Sequence, residues 1–200
     1  MRKLPVSFYD RENVLQIAQE LLGKILVTKR KGKVTSGRIV ECEAYDGIED
    51  GASHAFGGRR TNRNEVMYSG AGTAYVYICY GIHHLFNVVT NKKEIPHAIL
   101  IRALEPEEGI AEMMKRRGKK LFDHSLTKGP GSLSVAMGIS IEDNGCSLQS
   151  EHLFIAGDGF VPDKEMIGIS PRIGVEAAGK AAVYPYRFYI RDSPFVSGKK

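Results

Sequence analysis

Glu41, Glu43 and Tyr45 stand at alternate positions in the run Gly-Arg-Ile-Val-Glu-Cys-Glu-Ala-Tyr at residues 37–45. In an extended strand alternate side chains share a face, so Ile39, two carboxylates and a phenol stand in file, roughly 7 Å apart. Val40, Cys42 and Ala44 then form the opposite, apolar face. A general base must be held within reach of a proton on a rigid element, and Glu43, mid-strand with Tyr45 beyond it, meets that need. The plain alternative is a solvated strand face carrying two acids, with Glu41 as an ion-pair partner.

A second set of candidates is aromatic. In the stretch Thr-Ala-Tyr-Val-Tyr-Ile-Cys-Tyr at residues 73–80, alternation puts Tyr75 and Tyr77 on one face and Tyr80 on the other, next to Gly81. Core packing is the competing reading for Tyr75. A tyrosine at a hairpin tip has little to pack against, so Tyr80 is either an interface residue or a wedge of the kind that unstacks nucleic-acid bases. His54 lies in a glycine-rich stretch and is catalytic, structural or merely solvated. Arg59, Arg60, Arg63, Lys92 and Lys93 flank the tyrosine hairpin in sequence, where they could meet phosphates. The run at residues 115–120 is explained by a helix C-terminus alone.

Other chemistries find less support. His83, His84 and His97 match no zinc spacing, Asp46, Glu49 and Asp50 lack calcium-loop spacing, and a metal site on Glu41, Glu43 and Asp46 is the remaining metal reading. No dinucleotide or phosphate loop follows Gly70 or Lys128. No metal or cofactor is expected.

These residues need a frame. The chain has 200 residues, 42% hydrophobic and 26% charged, enough for one domain over residues 1–200 with a real core. Its net charge of +5 favours a polyanionic partner without requiring one. Three cysteines without a C-x-x-C pair fit a reducing compartment, and no apolar run reaches membrane-spanning length, so a cytoplasmic monomer is expected. The pattern predicts a first helix capped by Asp10, with Val14, Ile17, Ala18, Leu21 and Leu22 inward and Gly23 as its stop. A hairpin of strands 25–28 and 37–45 follows, then a functional loop over 46–72. Strands are expected at 73–80, 85–90, 98–104 and 186–191, a helix opened by Pro106, Glu107 and Glu108, and a short helix after Gly131. The fold class is α+β: a mostly antiparallel sheet flanked by helices, with a protruding hairpin.

Taken in order, the set resembles the alkyladenine (3-methyladenine) DNA glycosylase family of base-excision repair. The likeness is carried by residues 38–45, His54 with Gly57-Gly-Arg59, Thr61-Asn-Arg-Asn64, residues 72–81, Asn87, residues 100–106, residues 172–175 and residues 187–194. It covers nearly the whole chain. The departures are Cys42 and Asn62, where threonine and proline are usual, and His83 and His84 in place of bulkier aromatics.

The resemblance implies a monofunctional glycosylase that flips a damaged purine out of double-stranded DNA. Glu43 would activate the attacking water, and Arg102 would help position that water or the nearby backbone. Tyr45, His54 and Tyr77 would enclose the base, Asn87 would sit at the purine edge, and Tyr80 would fill the gap left in the helix. Arg59, Thr61 and Arg63 would contact DNA. The chemistry is coherent: an alkylated, cationic purine is a good leaving group and stacks well on tyrosine faces, a gain on the order of 0.5–2 kcal/mol. A carboxylate near the sugar stabilises the charge that develops as the glycosidic bond lengthens. No lysine nucleophile is evident. A non-catalytic binder of damaged or single-stranded nucleic acid is the alternative.

Overall fold

The computed structural model describes residues 1–198. Its centre is the long strand β3 (Lys33–Tyr45), which meets β2 (Ile25–Arg30) through a tight turn with Lys31 and Gly32 both left-handed. That is the two-residue hairpin turn whose twist matches the flanking strands. On its other edge β3 pairs antiparallel with β6 (His97–Glu108). Beyond β6 lie β5 (His83–Thr90) and β4 (Ala74–Cys79), and beyond β2 lie β7 (Leu153–Gly157) and β1 (Arg2–Lys3). Beyond the first residue of β2, β9 (Arg187–Ile190) takes over the vacated edge of β3 at Glu41, Cys42 and Glu43, and β8 (Ile167–Ser170) pairs with β9. All these pairings are antiparallel, as expected of an α+β fold.

Among the described residues four α-helices cover the sheet: α1 (Val6–Tyr9), α2 (Val14–Leu21), α3 (Ile110–Arg116) and α4 (Pro130–Met137). The main core joins Ile17, Ala18 and Leu21 of α2, Cys42 and Ala44 of β3, Ile99 and Ile101 of β6, and Leu133 and Met137 of α4. The apolar stripe of α2 therefore packs as its spacing requires. Among the described residues, no helix is long and apolar enough to cross a membrane.

Four local expectations are corrected. Asp10 does not cap the first long helix. It ends the short α1, and Asn13 caps α2 by accepting from the Gln16 amide at 2.9 Å. Residues 106–108 do not open a helix, because β6 continues through them opposite Ser36 and Gly37, with a bulge beside Gly37. The helix starts only after Gly109, at φ 75°, where a side chain would strike the Val34 carbonyl. The face assignments of Ile39 and Val40 are exchanged: Ile39 joins the main core and Val40 packs with Ala103, Tyr189 and Phe195. A bulge between Ile39 and Cys42 shifts the alternation by one residue, so the acids and Tyr45 keep their shared face while Ile39 loses it. Finally, β5 begins at His83 rather than 85, so the hairpin stays paired up to a tip where Tyr80 and Gly81 are both left-handed.

Candidate active site

Glu43 lies in the interior of the sheet, opposite Leu100 of β6 on one side and Arg187 of β9 on the other. Its side chain stands off the sheet face, where Tyr45, Arg102 and the segment at Ile173 close over it, and Glu43 is 0% exposed. Its partners come from three places. Oε1 accepts from the backbone N–H of Ile173 at 2.8 Å, Oε2 from the Tyr45 hydroxyl at 3.0 Å, and Arg102 Nη1 lies 3.3 Å from Oε2. Burial raises the Glu43 pKa, and Arg102, the Ile173 amide and the Tyr45 hydroxyl only partly offset that rise. Desolvation also pushes the Tyr45 hydroxyl far above its usual range, so it is a donor here.

Glu41 bears out its reading as an ion-pair partner. It receives Arg187 Nε at 2.7 Å, Arg102 Nε at 3.1 Å, and both the amide (2.7 Å) and the hydroxyl (3.0 Å) of Ser197. Two acids and two arginines thus balance in one buried layer, which is how buried charges are tolerated.

In front of this layer opens a pocket of about 180 Å³, walled by Tyr45, His54, Tyr77 and Asn87, with Tyr75, Met67 and Val175 around them. Its side walls are rings: His54 meets Tyr77 edge-on at 4.6 Å between centroids, and Tyr75 lies 5.4 Å from Tyr77. Tyr75 is buried, as the core-packing reading held, and its hydroxyl also sits 2.8 Å from His54 Nδ1, fixing the imidazole. Burial, with Arg63 and Arg59 nearby, pulls the His54 pKa down to about 4, so the ring is neutral at pH 7. Asn87 donates its amide N–H groups to the Tyr75 and Leu85 carbonyls at 3.1 and 3.2 Å. Glu43 is not itself a wall residue; it joins the wall through the hydrogen bond from the Tyr45 hydroxyl.

The loop over 46–72 is a series of tight turns organised by buried Asn64, which accepts from the Thr61 amide and hydroxyl and donates to the carbonyls of His54 and Arg59. Thr61 therefore uses its hydroxyl within the loop. Arg59 and Arg63 are exposed, Arg63 with its guanidinium 5.2 Å from the Tyr77 ring centre. Arg60, also exposed, pairs with Glu65 and Glu94. Tyr80 is 89% exposed at the hairpin tip, with Ile82 exposed beside it.

Several supporting residues were not assigned roles from sequence. Arg172 is fully buried between the rings of Tyr45 and Tyr186, pairs with Asp50, and bonds the carbonyls of Ala44 and Ala181. It anchors the segment that presents the Ile173 amide to Glu43. Arg187 and Ser197 hold Glu41 in place. Arginines 172 and 187 fall within runs that already stood out, but only the fold shows which acids they meet.

Fold and site together define a class: an α+β protein with a buried acid hydrogen-bonded to the wall of an aromatic pocket, with exposed Arg63 at that pocket and Arg59 beside it. The sequence model described as methylpurine-DNA glycosylase matches residues 7–194. A protein of Desulfitobacterium hafniense (strain Y51), named "Putative 3-methyladenine DNA glycosylase", is 45% identical over the full length of both chains. Proteins of the same name from Clostridium perfringens (strain 13 / Type A) and Bacillus cytotoxicus are 42% and 44% identical over 98% of this chain and 100% and 99% of theirs. The chain belongs to the methylpurine-DNA glycosylase family, the DNA glycosylases of base excision repair that act on N-glycosyl bonds of alkylated purines.

Proposed function

We propose that this protein excises alkylated purines, 3-methyladenine among them, from double-stranded DNA by flipping the nucleotide and hydrolysing its glycosidic bond with water, without cutting the strand. The observation that carries this reading is the Glu43 carboxylate, removed from solvent and hydrogen-bonded to Tyr45 at the back of a ring-walled pocket. A base with a raised pKa accepts a proton from water more readily, and the same negative charge favours the cationic sugar of the transition state. Arg102 orients the carboxylate. Tyr45, Tyr77 and neutral His54 enclose the ring. Asn87 closes the purine edge by the volume it fills, its N–H groups being bound to strand carbonyls. Tyr80 enters the duplex in place of the extruded base, while Arg59, Arg63 and the Thr61 turn follow the phosphates. The protein acts as a monomer and needs no cofactor.

The test is single-turnover release of free base from a duplex oligonucleotide carrying one alkylated purine. Glu43→Gln should lose at least about 100-fold in rate, within the usual contribution of a general base, while binding the lesion as before. Undiminished release by that variant would remove Glu43 from the mechanism.

A further inference from the structure

We propose that Glu41 is a positioning residue for the general base: it draws Arg102 away from a two-pronged pairing with Glu43, and so leaves Glu43 only partly neutralised. The inference rests on Glu43 being the base.

An arginine free to choose meets a carboxylate with two parallel N–H bonds. The Arg102 fork is instead divided three ways: Nε to Glu41 at 3.1 Å, Nη2 to the Ser197 hydroxyl at 3.2 Å, and Nη1 to Glu43 at 3.3 Å. The same diversion operates on β9. Arg187 is the residue opposite Glu43 in the sheet, yet its Nε goes diagonally to Glu41 at 2.7 Å, held by Ser170 and the Ser197 carbonyl. Glu41 thus collects contacts from both arginines, and the buried base keeps one.

The surroundings of Glu43 make the sign of a perturbation clear. From its own strand Glu41, Cys42 and Tyr45 bear on it. Arg102 faces it from β6 and Tyr77 from β4, Arg172 and the Ile173 amide from the segment behind, and Arg187 from β9. Burial and Glu41 favour the protonated acid, and Arg102 favours the carboxylate. Taking away the Glu41 charge removes a repulsion and releases Arg102 towards Glu43. Both changes make Glu43 a weaker base. A full opposite charge beside a carboxylate lowers its pKa by about 1–3 units, so the acidic limb of the rate profile should move down by about one pH unit or more.

The experiment measures single-turnover base release from the same duplex between about pH 4 and pH 8, with lesion affinity measured in parallel. Glu41→Gln should shift the acidic limb to lower pH and reduce the plateau several-fold with affinity unchanged, and Glu41→Asp should restore the limb. A limb that stays in place while the plateau falls only with the folded fraction would make Glu41 a structural residue and overturn the proposal. If Glu41→Gln does not fold, Arg102→Lys decides, since one ammonium cannot serve both acids as the fork does: an acidic limb moved to higher pH shows Glu41 holding the charge and supports the proposal, and a limb unmoved or moved lower overturns it. Glu43→Gln is run alongside. Activity retained there refutes the base itself, whereas an inactive Glu43→Gln with an unmoved Glu41→Gln limb refutes only the positioning role.

Discussion

Asp50→Asn isolates the strut behind the pocket. Asp50 and Arg172 are both buried, the carboxylate holding Nη1 and Nη2 while also accepting from the Ala52 and Asp46 amides at 3.0 and 3.2 Å. Breaking a buried pair by removing one charge is worth about 3–5 kcal/mol. The lower end applies, because Arg172 keeps the carbonyls of Ala44 and Ala181 and its two flanking rings. The loss is not absorbed elsewhere: Arg172 Nε already lacks an acceptor among the described residues. A loss of about 3 kcal/mol in a chain of this size lowers Tm by roughly 6–12 °C, readable by circular dichroism. The double variant Asp50→Leu/Arg172→Met should recover part of the stability, since the orphaned charge is gone. Because Arg172 directly precedes Ile173, Asp50→Asn should also slow base release at temperatures where it is fully folded. A Tm change under about 2 °C, with the rate intact, would show that the strut neither stabilises the loop nor aligns Glu43.

Three further outcomes are expected. Glu43 has a raised pKa in the folded state, so folding binds a proton more tightly there; its stabilising effect is complete below the unfolded value and is lost as pH rises through the folded one. The Tm of Glu43→Gln minus that of wild type should therefore increase with pH across that window, and a difference that falls with pH instead would mean the pKa is depressed. His54 should reach half protonation only near pH 4, seen as imidazole shifts in an NMR titration that hardly move between pH 8 and about pH 5; a midpoint near an ordinary histidine value would contradict its burial. Tyr80→Ala should weaken binding to lesion-containing duplex while leaving stability within about 0.5 kcal/mol, because the side chain packs on nothing; unchanged affinity would show that the tip stays outside DNA.

Much of this molecule was written in its residue order. Alternation over residues 41–45 and 74–79 placed Glu43 with Tyr45 and Tyr75 with Tyr77, since a regular pleated strand has no other way to arrange them. The stripe of α2 announced its buried face, and Tyr80 next to Gly81 marked an exposed tip. Local signals failed where one residue altered the phase. The bulge near Glu41 exchanged Ile39 and Val40, and the pairing of β6 with β3 outweighed a proline and two glutamates that suit a helix start. What the chain order could not contain was the balance of charge. Arg102, Arg172, Arg187 and Ser197 lie far from the acids in sequence and reach them only because β6, β9 and the C-terminal residues converge on β3. Whether a carboxylate is an ordinary surface acid or a poised base depends on burial and on the partners around it. Those are long-range quantities, and only the tertiary structure sets them.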